Sequence, residues 1–207
     1  MRKYPVTYLL AAVNICFFVS AAYLGLLGEL VHYYGFSLAN VMEGNYISLV
    51  VSGFLHTGLP HLFYNSVFLV LFGRAVEEEF GHVKTVAVYF AGMFAGEAFF
   101  AALFPTASAV GASGAVFGLM AAGTLVEPGR PVHEKFLPLP ISLIGVLYLL
   151  PAVGNAFSLA GDVANIAHVG GAVAGSVLAF LWRPEQAKKG VWAVAGFTFL
   201  VIGIGYF

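Results

Sequence analysis

Apolar residues run in long blocks along this chain, and charged residues gather in the short gaps between them. A helix needs about 20 mainly apolar residues to cross a bilayer, with about 17–25 the usual range. Seven blocks approach that length: 6–27, 59–76, 83–104, 112–126, 137–154, 162–182 and 190–207. The fourth and fifth are short, which suits helices shielded from lipid by other helices. The pattern predicts an all-α membrane protein, with a six-span core over 1–182. A linker and an additional, seventh C-terminal transmembrane helix follow over 183–207.

The basic residues give this bundle a direction. They are Arg2, Lys3, Arg74, Lys84, Arg130, Lys135, Arg183, Lys188 and Lys189. With seven spans, all of them fall in the N-terminal tail or in the second, fourth and sixth loops. The first, third and fifth loops carry only Glu29, Glu43, Asp162 and neutral residues. Lysine and arginine stay on the cytoplasmic side, so the N-terminus is expected inside and the C-terminus outside, as in a multi-pass plasma-membrane protein. The first block is too long for the apolar core of a cleaved leader and reads as a retained anchor. The first outer loop, 28–58, is long and rich in aromatics, and is expected to lie partly in the outer interface.

Composition narrows the function. The chain of 207 residues is 60% hydrophobic and 9% charged, where soluble domains carry about 25% charge. Its net charge of −1 gives no reason to expect nucleic acid. Lone Cys16 excludes an intramolecular disulfide. Histidines, cysteines and carboxylates show no metal-ligand spacing, so neither metal nor other cofactor is expected.

The polar residues inside the blocks are few, and several share a depth. The second, fourth and sixth spans run in the same direction. His61 and Asn65 lie near the outer end of the second, Ser113 at that of the fourth, and His168 about six residues into the sixth. At about 1.5 Å per residue, all sit within roughly 10 Å of the outer boundary. Ser113 is followed by Gly114-x-x-x-Gly118, and His168 by Gly171-x-x-x-Gly175. Small residues four apart let helices approach closely. Packing these faces would bring a hydroxyl beside an imidazole, the pairing a nucleophilic serine needs. A neutral histidine is available at pH 7 as the base. Asp162 is about 600° from His168 around the helix, while Asn165 shares its face, so the reading is a dyad. Glu97 in the third span cannot be assigned a face. His61 and Asn65 are four apart and could both donate to an oxyanion, as could the Ser113 amide at a helix start. His56 and His61 diverge by about 140° and make a poor metal pair.

These residues resemble a known family. The stretch "GASGAVFG" resembles the Gly-x-Ser-Gly motif of the rhomboid intramembrane serine proteases. "ANIAHVGGAVAG" resembles their sixth span, "FLHTGLPHLFYNSVFLVLFG" their second, and "GRAVEEEFG" the stretch that follows it. The resemblance implies a rhomboid-like helical bundle of six spans plus one. It implies Ser113 as nucleophile, His168 as general base, and His61, Asn65 and the Ser113 amide as the oxyanion hole. It also implies that Gly111 leaves room beside the substrate, that His56 sits at the cavity rim, and that Glu77 is structural. Phe117 stands where a stacking tyrosine is frequent, and the family's Trp-Arg pair in the first outer loop is absent. The expected partners are the bilayer and transmembrane substrate proteins, entering between the second and fifth spans; 136–140 and Pro151 are candidates for a movable gate. No soluble partner is expected. The rival readings are a membrane-helix binding protein without proteolysis and a histidine-based transporter.

Overall fold

A computed structural model describes residues 3–133, 137–156 and 164–204. Its elements run, in chain order, α1 (Pro5–Tyr23), α2 (Leu27–Tyr34), α3 (Leu38–Met42), α4 (Ser48–Val51), a 3-10 turn (Ser52–Phe54), α5 (Leu59–Phe80), α6 (His82–Leu103) and α7 (Ser113–Val126). A strand pair, β1 (Pro131–His133) and β2 (Leu137–Pro140), precedes α8 (Ile141–Ala156), α9 (Ala164–Trp182) and α10 (Pro184–Ile204). Each of the seven apolar blocks is thus mainly helical, and the molecule is a helical membrane bundle. By length and composition α1, α5, α6 and α9 can each cross a bilayer, and α7 and α8 are shorter apolar helices.

The bundle is built around α7. From Gly114 to Val126 every residue of this helix except Phe117 is buried. It packs against α9, α6 and α5, with α8 and α10 on its remaining flank. Glycines make this possible. A Cβ on Gly171 would lie 2.1 Å from the Gly114 carbonyl oxygen, and one on Gly175 would lie 1.9 Å from that of Gly118. On the other side, a Cβ on Gly92 would meet the Gly114 carbonyl oxygen at 2.9 Å. The obstacles are backbone atoms, which cannot swing away as a side chain would. Large apolar side chains such as Leu9, Phe63, Val83, Val177 and Trp192 cover the exterior, where lipid rather than water is the natural solvent.

The end of the bundle away from Ser113 is tied by three consecutive glutamates. Buried Glu77 accepts hydrogen bonds from the Val6 N–H (3.0 Å), the Thr7 N–H (2.8 Å) and the Thr7 hydroxyl (2.6 Å). It thereby satisfies the free amides at the start of α1, where a negative charge also meets the positive end of the helix dipole. Glu78 bonds Lys3, Tyr4 and Arg130, and Glu79 bonds Arg183. The structural role expected of Glu77 is present, and its two neighbours extend it to the α7–α8 connection and to α10.

Two features depart from the sequence reading. The fifth span was placed from residue 137, yet 137–140 pairs with 131–133 as an antiparallel hairpin, and the helix begins at Ile141. Pro138 and Pro140 explain this, since proline disfavours helix in the residue before it and donates no amide. The first outer loop is largely helical, through α2, α3, α4 and the 3-10 turn. The close seam predicts that Gly175→Val lowers the unfolding free energy by at least about 3 kcal/mol through overpacking. Gly196→Ala, where a Cβ meets nothing within 4 Å, should change it little or raise it. Equilibrium unfolding of both variants in detergent checks this.

Candidate active site

Ser113 is the first residue of α7, and the preceding stretch is held from behind. The Gly111 N–H donates to the Ser52 carbonyl (2.9 Å), while Phe36 and Ala109 exchange backbone hydrogen bonds at 2.8 Å each. The Ser52 hydroxyl donates to Glu97 (2.8 Å), on α6. Glu97, whose face sequence could not assign, therefore anchors the turn that carries the Gly111 strap. Its second carboxylate oxygen is buried without a partner among the described residues. It lines a small cavity of about 50 Å³ behind Ser113, with Ser52, Gly111 and Gly114 among the other walls.

In front of Ser113 lies a much larger cavity, about 730 Å³. His61, Asn65, Ser113, Phe117, Asn165 and His168 all line it. Four helices thus deliver the predicted polar residues, with Asn165, to one space: α5, α7 and α9 supply these six, and α8 supplies Leu147, Tyr148, Pro151, Ala152 and Asn155. Phe117, one turn along from Ser113, stacks flat on the His168 ring, with centroids 4.1 Å apart and planes 1° from parallel. The stacking expected of this phenylalanine is present, and it fixes the plane of the imidazole.

Gly111 has φ +120°, in the region that favours glycine. A Cβ there would lie 2.6 Å from both Cε1 and Nε2 of His61. Its missing side chain is therefore what lets the His61 ring lie against the strap leading to Ser113. His61 Nδ1 faces the Thr57 hydroxyl at 3.3 Å. When that hydroxyl donates, Nδ1 is the acceptor and Nε2 carries the proton. Asn65 spends one amide hydrogen on the His61 carbonyl (3.0 Å). Its second amide hydrogen remains for the cavity, which the residue lines.

His56 stands elsewhere than the rim expected for it. It is fully buried behind His61, with ring centroids 5.0 Å apart and edge-to-face. Its Nδ1 lies 3.3 Å from the Phe54 carbonyl. It buttresses the His61 ring and does not line the large cavity. Asp162 lies outside the described residues. Sequence reasoning missed Phe68 and Tyr148, whose rings meet at 4.4 Å between α5 and α8. An aromatic on an apolar helix carries no signal of its own. Among the described residues, no group of three metal-ligating side chains forms.

A family model for the rhomboid domain matches residues 43–185. The chain belongs to the rhomboid family. RHOMBOID-like protein 6, mitochondrial, of Arabidopsis thaliana is 31% identical over 149 residues, covering 70% of this chain and 48% of the relative. Rhomboid protease GlpG of Yersinia pseudotuberculosis is 31% identical over 143 residues, 69% of this chain and 50% of the relative. Rhomboid protease GluP of Bacillus subtilis is 27% identical over 168 residues, 80% of this chain and 32% of the relative. The matched part of the rhomboid relatives is thus a third to about a half of their length. The family match spans all the cavity-lining polar residues and leaves α1 and most of α10 outside it.

Burial, and after it the neighbouring His61, holds the His56 imidazole down at about 4, from an ordinary value of 6.5. The unfolded chain therefore binds a proton first as pH falls. Stability from neutral His56 is complete above about 6.5 and is lost as pH falls towards about 4. The wild type should lose up to about 3 kcal/mol more than His56→Asn across that window. Unfolding of both proteins at pH 7 and pH 4.5 checks this.

Proposed function

We propose that this chain is an intramembrane serine endopeptidase that hydrolyses a peptide bond in the transmembrane segment of another membrane protein. The observation that carries the reading is the single cavity lined by Ser113, His168, His61 and Asn65, with Phe117 stacked on the His168 ring. Membership of the rhomboid family, with relatives named as proteases, supports the same class.

The chemistry follows from the residues. Ser113 Oγ attacks the scissile carbonyl carbon while its proton passes to His168. The carbonyl oxygen becomes an oxyanion, met by the His61 Nε2–H, the free Asn65 amide hydrogen and the Ser113 N–H. The intermediate collapses, the C–N bond breaks, and His168 returns the proton to the leaving amine. Water then attacks the Ser113 ester with His168 again as base, releasing the acid. Phe117 holds the imidazole in plane between the two roles, and no metal or cofactor is required. Gly111 keeps the His61 donor beside the nucleophile.

Substrate reaches the cavity from lipid between α5 and α8. Both helices line it, and the Phe68–Tyr148 pair bridges them. Parting of that pair opens the side of the bundle. Pro151 lies within α8 and weakens its hydrogen bonding, which suits a movable wall. The hairpin at 137–140 is a less suitable hinge than was expected, because it is tied by the Ile141 N–H to the Arg130 carbonyl (2.7 Å). The segregation of basic residues supports a catalytic end at the outer face of a plasma membrane, with the N-terminus in the cytoplasm and, where α10 spans, the C-terminus outside. The core is 1–182, and 183–207 adds a flanking helix.

In liposomes with a model membrane substrate, Ser113→Ala and His168→Ala should each reduce cleavage to background. Asn65→Ala should retain activity lowered by about 10²-fold. A fluorophosphonate should label the wild type and leave Ser113→Ala unlabelled. Cleavage by Ser113→Ala would overturn the dyad. Absence of both labelling and cleavage would favour a protein that only binds membrane helices.

A further inference from the structure

A second cavity, about 500 Å³, opens at the other end of the bundle. It is lined by Lys3 and Tyr4 before α1, Leu71, Arg74 and Glu78 of α5, Glu127 after α7, and 130–133 of the hairpin. His61 and Arg74 are thirteen residues apart on α5, so the two sites are about 20 Å apart along the bundle. The proteolytic chemistry uses none of these groups.

The charges around this cavity do not balance. Three cations gather round one ring: Arg74, Lys3 and Arg130 lie 5.0, 5.3 and 5.8 Å from the Tyr4 centroid. Glu78 pairs with both Lys3 and Arg130. Arg130 also donates to the Tyr4 hydroxyl (3.2 Å). Arg74 has no carboxylate among the described residues, and its Nε–H is buried without an acceptor. An orphaned guanidinium donor is costly unless something outside the chain accepts from it. Glu127 also lines the cavity, with burial and then the nearby Glu79 raising its carboxyl from the ordinary value, so three cations there face two carboxylates.

We propose that this cavity binds a phosphate ester, the phosphodiester of an anionic phospholipid headgroup, through Arg74, Lys3 and Arg130. The planar guanidinium of Arg74 suits two phosphate oxygens at once. The site lies where α5 and α7 end, at the level where headgroups of that leaflet collect, and basic pockets between helices at that depth suit such lipids. Leu71, Pro131 and Val132 supply an apolar wall for the glycerol and upper acyl chain. Bound there, the lipid joins the start of α1, the end of α5 and the hairpin. This inference does not depend on proteolysis.

The test uses the full chain with Ser113→Ala, so turnover plays no part. Thermal unfolding is followed in micelles of a neutral detergent doped with phosphatidylglycerol, doped with phosphatidylcholine, or supplied with inorganic phosphate. Phosphatidylglycerol should raise the midpoint by several degrees and phosphatidylcholine should not. Arg74→Gln should weaken the apparent affinity about tenfold or more, and Arg74→Lys should recover part of it. Val132→Trp fills the cavity from the exposed hairpin and should abolish the shift, which keeps the test open if Arg74→Gln does not fold. A shift from inorganic phosphate alone would assign the same anion site to a free phosphate. Equal shifts with both lipids, or an unchanged shift in Arg74→Gln or in Val132→Trp, would overturn the proposal.

Discussion

The near-contact of three backbones, α6, α7 and α9, is the constraint on which the rest of the molecule depends. In lipid there is little hydrophobic force to press helices together, so association relies on close packing. Glycines 92 and 96 on α6, 114 and 118 on α7, and 171 and 175 on α9 remove the side chains that would hold these backbones apart. A Cβ on Gly96, for example, would meet the Ala167 carbonyl oxygen at 2.8 Å. That seam sets both the distance and the register of α7 against α9. Because Ser113 directly precedes Gly114 and His168 lies three residues before Gly171, the register that packs the helices also decides which polar side chains share a cavity.

Polarity is divided between the two ends of the bundle, and each end solves a different problem. One end gathers neutral donors and acceptors around a cavity. The other commits its three consecutive glutamates: Glu77 to the α1 amides, Glu78 to Lys3 and Arg130, Glu79 to Arg183. Buried Glu77 is stabilised by several donors at once, whereas exposed Lys3 contributes little, as surface pairs do. α1 and α10, which flank the core, are each reached from one of these glutamates.

Much of this was legible in the sequence, for physical reasons that also explain what was not. Long apolar blocks report solvent, so the helices from α5 to α7 and α9 lie within a few residues of expectation. Depth followed from helical rise, and it brought His61, Asn65, Ser113 and His168 to one cavity. The pairing of 131–133 with 137–140 was hidden because its prolines sit at the edge of an apolar block, where composition resembles the helix beyond. His56 was expected at the cavity rim from the resemblance alone, and its burial against the His61 ring is a tertiary contact that no sequence pattern reports. Glu97 was visible as a lone carboxylate in a span. Its role needed Ser52, 45 positions earlier, in a turn whose path no periodicity fixes.

The shortness of α7 leaves room for the cavity that its first residue lines. Its 14 residues rise only about 21 Å, against a hydrocarbon core of about 30 Å. The chain before Ser113 runs without helix, and its buried backbone groups need partners. Irregular backbone survives there only when protein supplies the partners. Here Ser52 accepts from Gly111, Phe36 and Ala109 pair with each other, and Glu97 holds Ser52 in place. The outer loop, helical yet lacking polar character, is thus the hydrogen-bonding scaffold of the strap. With the strap satisfied from behind, its front face is free to carry a hydroxyl into an open cavity. A longer α7 would have needed no such scaffold, and would have carried its first residue past the polar residues of α5 and α9 that share the cavity.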